Sequence, residues 1–335
     1  MFQPLRKPFK HWSLLALPLA AMALGGTSAA QAQDWQPTRA VEYIAPANPG
    51  GGWDTLVRTM ANVIRAEKLS EQSFAAINIP GGGGAVAWAQ IARDDKNDNK
   101  LFATSPPIIL VPLAGTSRFS HKDFTPIARI STDYSIVLVR ADSPYQTIGD
   151  LFAAIEANPG LSVGGGSAAG SMDHIAIAGA AAEAGLEPRQ VNYIAFSGGG
   201  EAMISLMGKH VEAVIGGAGE SVGQLQGGEL RAIAVSSPER LTGALADVPT
   251  FKEQGYDYTF DIWRGVMAPK HISAEARTYY EKLFARMMET DSWKQASTQL
   301  GWLDAYQNSA EFGAFLDQQQ AQFSSVLGDL GLLKR

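Results

Sequence analysis

Gly164 to His174 reads GGGSAAGSMDH: glycines and small residues, then an acid and a histidine. It follows an apolar run, Leu161–Val163, and leads into another, Ile175–Ala182. Four more apolar runs end the same way. Val41–Ala45 enters PANPGGGWD, Phe74–Ile79 enters PGGGG, Val191–Ala195 enters FSGGGE, and Val211–Ile215 enters GGAGE. Strand, glycine turn, helix is the unit of an α/β sheet, and ligands bind such sheets beyond the carboxyl ends of the strands. Glycine admits positive φ and lets a ligand approach backbone N–H groups closely. Those N–H groups form concave nests, and each following helix adds unpaired first-turn donors and the positive end of its dipole. Five such turns in one chain point to a shared anion-binding edge. Ser167, Ser171 and Ser197 add hydroxyls, so several carboxylates could be held there without any arginine.

Other uses of glycine fit less well. Gly164, Gly166 and Ala169 satisfy G-x-G-x-x-A, but the next strand ends Ala195-Phe196-Ser197, with no acid for a ribose. No glycine run ends in G-K-[ST]. Neither Ser167 nor Ser171 lies in G-x-S-x-G, which leaves a hydrolase using either serine with His174 as a weaker alternative. His121, His174, His210 and His271 are scattered, with no metal-ligand spacing, and no cofactor is implied. Asp54, Asp173, Glu201 and Glu220 each close a glycine turn. They read as helix-start acids that brace N–H groups, with a ligand hydroxyl or an accompanying cation as sharper roles. Trp53 and Trp263 could supply an apolar wall and an N–H donor.

The chain of 335 residues divides along the same pattern. Arg6, Lys7 and Lys10, the apolar run Leu14–Leu24 and Ala30-Gln31-Ala32 form a secretory leader with cleavage after Ala32. The apolar run is shorter than the roughly 20 residues of a membrane span. The absence of cysteine rules out disulfides and thiolate metal sites. A net charge of −6 with no basic run argues against nucleic acid. After the leader, two strand–helix series imply two lobes with mostly parallel sheets, with Lys100–Thr104 as a further strand of the first and Leu230–Val235 of the second. Leu56, Met60, Val63 and Ile64 share one helix face. Met203, Leu206 and Met207 share another, in a helix that Gly208 is expected to end as its C′ residue. Thr147 and Asp150 form a capping box that opens a helix over Gly149–Ala157. Ala274–Glu289 and Ala310–Leu327 read as helices with no strand between them, docked on the first lobe. The crossings are placed near Ser135–Arg140 and Tyr256–Trp263, giving residues 33–137 plus 258–335 as lobe 1 and 138–257 as lobe 2.

In order, PANPGGGWDTLVR, IPGGGGAVAW, GGGSAAGSMDHIA, YIAFSGGGEAM, RAIAVSSPERL and DVPTFKEQGYDYTFDIWRGVMAP resemble the periplasmic substrate-binding proteins of tripartite tricarboxylate transporters, the TctC or Bug family. The resemblance spans nearly all of the chain after the leader and favours the tricarboxylate-binding branch. It implies a two-lobed Venus flytrap with the ligand in the cleft, gripped by backbone N–H groups, hydroxyls and bridging waters. It places first-lobe contacts at Asn48, Gly51, Gly52, Trp53 and Asp54, with Gly82 and Gly83 in the Pro80–Gly84 turn, and at Ser105. Second-lobe contacts are Ser167, Gly170, Ser171, Asp173 and His174, then Ser197, Gly199 and Glu201. The resemblance implies a non-catalytic, monomeric periplasmic protein that passes a small polycarboxylate, citrate first, to a membrane permease. Dicarboxylates, terephthalate, and presentation of the ligand to a sensor kinase are the alternatives.

Overall fold

The computed structural model describes residues 35–329 and residue 333. The expected leader and its cleavage site lie outside them. No described helix is long and apolar enough to cross a membrane.

The first series runs β1 (Val41–Ala45), α1 (Gly52–Ala66), β2 (Phe74–Asn78), α2 (Ala85–Ile91), β3 (Lys100–Thr104) and α3 (Pro107–Leu113). β1 pairs parallel with β2 and β3. A long strand, β4 (Phe124–Arg140), leads into α4 (Ile148–Ala157), β5 (Ser162–Gly165), α5 (Met172–Glu183), β6 (Asn192–Ala195), α6 (Gly199–Met207), β7 (Ala213–Gly217), α7 (Val222–Gln226) and β8 (Leu230–Val235). β5 pairs parallel with β6 and β7. The chain returns through β9 (Asp261–Pro269) and closes with α8 (Ala274–Glu289), α9 (Asp291–Gln299), β10 (Leu303–Gln307) and α10 (Ser309–Asp329).

The architecture is the expected two-lobed α/β fold, with mixed sheets. The parallel pairs are those of the glycine-turn repeats. The antiparallel pairs come from β4, β8, β9 and β10. β4 belongs to both sheets: Phe124–Tyr134 pairs with β9 in the first, and Ser135–Arg140 with β7 and β8 in the second. Its sequence, FTPIARISTDYSIVLVR, is rich in β-branched and aromatic residues, which suit a pleated strand. Register shifts near Pro126 and between Arg129 and Ser131 bend it without breaking it.

Side chains alternate across the second half of β4. Val137 and Val139 face a core with Phe152 and Ile177, while Ile136 and Leu138 face one with Met203 and Leu206. The second sheet is therefore covered on both faces. The first lobe has a single larger core, with Tyr43, Trp88, Phe102, Tyr280, Phe284 and Phe312 fully buried. Burying such rings contributes about 1.5–3 kcal/mol each.

Two local expectations need correction. β10 lies between the C-terminal helices, where no strand was expected; with its burial pattern exposed or half-buried, it carries little apolar signal and forms only by pairing with β4. Gly208 has φ of −74° and is not the left-handed residue that ends α6; that role falls to Lys209, at φ 62°. The Lys209 and His210 N–H groups close the turn on the Leu206 and Ser205 carbonyls.

Candidate functional site

The turns after β1, β2, β3, β5, β6 and β7 converge on one cleft between the lobes. The first lobe lines it with Pro46, Ala47, Gly51, Gly52, Trp53, Gly81, Gly83, Ser105, Pro107 and Arg264. The second contributes Gly166, Ser167, Met172, Asp173, Ser197, Gly198, Gly199 and Glu220. α1 begins at Gly52, α5 at Met172 and α6 at Gly199, so three helix N-termini, whose first-turn N–H groups have no partner within the helix, border the space.

Glycine is required here for two separate reasons. Gly81, Gly82, Gly83 and Gly84 have φ of 124°, 59°, 64° and 108°, a run that side chains would strain. Gly166 lies so close to the Gly199 nitrogen that a β-carbon would overlap it.

The lobes touch across the cleft mouth. The Asn48 N–H donates to the Ser197 carbonyl at 2.9 Å, and Asn48 Nδ2 donates to Glu201 Oε2 at 2.9 Å. Glu201 also accepts the Ser197 N–H at 3.0 Å. The cleft is thus latched shut at its edge.

The four turn acids have separate roles. Asp54 is buried and accepts from the Gly50 N–H at 3.0 Å, Arg58 Nε at 2.9 Å and Asn78 Nδ2 at 2.9 Å. Burial alone would raise its carboxyl, but the Arg58, Gly50 and Asn78 donors outweigh it and hold the group below the usual range. It braces the first turn, and Glu201 does so for the Ser197 turn. Asp173 and Glu220 instead line the cavity. Asp173 is 2 % exposed, and burial, then the nearby Glu220 charge, pushes its carboxyl up to about 7. Burial likewise raises Glu220, against the pull of Arg264 and of the Gly217 N–H, which donates to Oε1 at 2.7 Å.

Arg264 corrects the expectation of a site without arginine. It projects from β9, is 2 % exposed, and donates from Nη2 to Asp133 Oδ2 at 2.5 Å. Its guanidinium packs against Gly52 of the first lobe and Gly217 of the second; a methyl on either would overlap it. It lies in no glycine turn, which is why turn patterns miss it. The available signal was a lone cation inside the apolar run DIWRGVMAP, matched by a lone acid in STDYSIVLV, since buried charges need partners.

Of the residues expected at the site, Gly51, Gly52, Trp53, Gly83, Ser105, Ser167, Asp173, Ser197 and Gly199 line the cavity. Trp53 Nε1 donates to Ser105 Oγ at 3.0 Å. Gly82, Gly170, Ser171 and His174 do not line it, nor do Asn48, Asp54 and Glu201. Trp263 is core, its N–H bonded to Gln319. His174 Nδ1 accepts the Gly170 N–H at 2.9 Å, and its ring stacks on Tyr193 at 4.8 Å. Burial lowers its pKa, keeping it neutral. Ser171 Oγ is buried with no partner, and Ser167 Oγ accepts the Asp173 N–H at 2.8 Å. Neither serine bonds a histidine, so the nucleophile–base contact of a hydrolase is not formed among the described residues. They also hold no cluster of three metal-ligating side chains.

A family model described as "Tripartite tricarboxylate transporter family receptor" matches residues 56–332. A structure of a TctC solute binding protein from Polaromonas, without ligand, is 30 % identical, covering 88 % of this chain and 99 % of that one, with a TM-score of 0.59. The periplasmic binding protein BugD is 23 % identical, covering 89 % and 100 %, with a TM-score of 0.81. MatC from Rhodopseudomonas palustris with bound malate is 20 % identical, covering 87 % and 99 %, with a TM-score of 0.75.

Proposed function

The chain belongs to the tripartite tricarboxylate transporter receptor family, a family of solute-binding proteins, and from that membership we propose that it captures a small polycarboxylate, citrate first, in the interlobe cleft. It delivers that ligand to the membrane permease of a tripartite transporter. The observation that carries this reading is the convergence of the N-termini of α1, α5 and α6 with Arg264 on one enclosed space. Each supplies N–H donors or positive potential to an anion, and enclosure strengthens every such contact.

The protein is exported by the leader, cleaved after Ala32, and works in the periplasm as a monomer. Its lobes are residues 33–137 plus 258–335 and residues 138–257, except that Ser135, Ile136 and Val137 belong with the second, in whose sheet they pair, and it closes about β4 and the segment entering β9. The latched cleft here corresponds to the closed form, which a bridging ligand favours.

The test is calorimetric titration of residues 33–335, refolded to remove host ligand, with citrate, malate and terephthalate, each with and without magnesium. One-to-one saturable binding of at least one acid is expected. Binding only with magnesium would assign a cation to the site, and binding of none would sink the proposal.

A further inference from the structure

Glu220 sits just past β7, and its carboxyl is held from both lobes. Oε1 accepts the Gly217 N–H at 2.7 Å. The remaining neighbours include the helix starts that border the cleft. A β-carbon on Gly199, the first residue of α6, would overlap Oε2, and one on Gly51, just before α1, would stand 3.5 Å from it. The backbone N–H of Gly52, the first residue of α1, favours the charged carboxyl from the other lobe, as does Arg264. A β-carbon on Gly217 would lie 2.6 Å from Arg264 Nη2, 2.9 Å from Asp133 Oδ2 and 3.1 Å from Glu220 Oε1, so these three side chains meet round one point. Asp173, the other acid of the cleft, stays within its own turn, where Ser167 and Gly166 supply its donors.

Helix N-termini beside a cation are where an anion is expected, and the chain has placed one of its own there. Arg264 is the only cationic side chain among the lining residues, and it already faces two carboxyls, Asp133 and Glu220. One guanidinium against two acids leaves no net positive charge for a third. A ligand carboxylate pushed into this corner would meet like charge in an enclosed space, where repulsion is poorly screened. The other lining groups, among them the α5 N-terminus at Met172, Gly83 and Ser197, are left for the ligand.

We propose that Glu220 is a resident carboxylate that occupies one anion position of the cleft, at the starts of α1 and α6, and so limits how many carboxylates a ligand can place there. This rests on the carboxylate-receptor reading above and refines it: citrate is gripped through two of its three carboxylates, and the third adds no affinity.

Two matched pairs differ by a single carboxylate: tricarballylate against glutarate, and citrate against 3-hydroxyglutarate. Calorimetry on the refolded protein, with every ligand carboxylate ionised, is expected to show that in neither pair does the triacid bind more tightly than its diacid. Tighter binding of a triacid in the unmutated protein overturns the role of Glu220 and leaves carboxylate capture standing. Glu220→Gln keeps the side chain's shape and removes its charge, and should shift the triacid-to-diacid affinity ratio tenfold or more toward the triacid. Any effect of the variant on closure acts on both members of a pair and cancels in that ratio. Asp173→Asn removes a charge from the same cleft but not from this corner, so its shift should be smaller. A shift below tenfold in Glu220→Gln, or one matched by Asp173→Asn, overturns the proposal. Binding of none of the four acids overturns both readings.

Discussion

Asp173 is an acid placed where burial works against its charge. Its carboxyl titrates near 7 in the folded chain and near 3.9 when unfolded. Between those values the native state holds a proton that the unfolded state has lost. Stability from this group is therefore full below about pH 4, falls as pH rises, and is lost above about pH 7. Asp173→Asn removes the titration, so the variant should gain on the unmutated protein by up to a few kcal/mol between pH 4.5 and pH 8. Urea midpoints at those two pH values check this in ligand-free protein, where titrating groups not coupled to Asp173 cancel in the comparison. A constant difference would mean that the cleft does not burden the acid. The glycine patterns located the turns that surround Asp173, but not Arg264, the cation opposite. A turn residue announces itself through its neighbours in sequence. Arg264 meets Gly52 and Asp133 only after β9 has inserted between β3 and β4, so its place in the cleft is a product of topology.

Elements that obey local rules were legible for the same reason. α4 opens with the capping box expected at Thr147: its hydroxyl accepts the Asp150 N–H at 3.1 Å, while Asp150 accepts the N–H groups of Thr147 and Gln146 at 2.9 and 2.8 Å. Thr147→Ala should cost about 1 kcal/mol. The urea midpoint should fall with an unchanged slope, and ligand affinity should stay put, since no residue of α4 lines the cleft. Strands whose identity depends on a partner were harder to read. β10 has no buried face of its own, and β4, whose halves serve different sheets, was expected only as a crossing near Ser135–Arg140. Lys209 stops α6 in a conformation usually left to glycine, so the nearby Gly208 misdirected the assignment by one residue.

At the scale of the whole molecule, the latch between Asn48 and Glu201 sets how far the empty protein closes. Asn48→Ala removes the 2.9 Å side-chain bond but leaves the backbone bond to Ser197. A loss of about 1 kcal/mol of closed-state stability is a several-fold shift in the open–closed ratio. Small-angle scattering should show a larger radius of gyration without ligand and the unmutated value at saturation, with affinity several-fold weaker. An unchanged radius in the empty variant would assign closure to other contacts. β4 has a different consequence. Melting one lobe alone would strip half of this strand of its partners and leave a ragged edge of unpaired amides on the other. The two hydrophobic cores therefore share one fate: heat should dissolve them in a single calorimetric transition, and whatever fastens the cleft protects the far side of both.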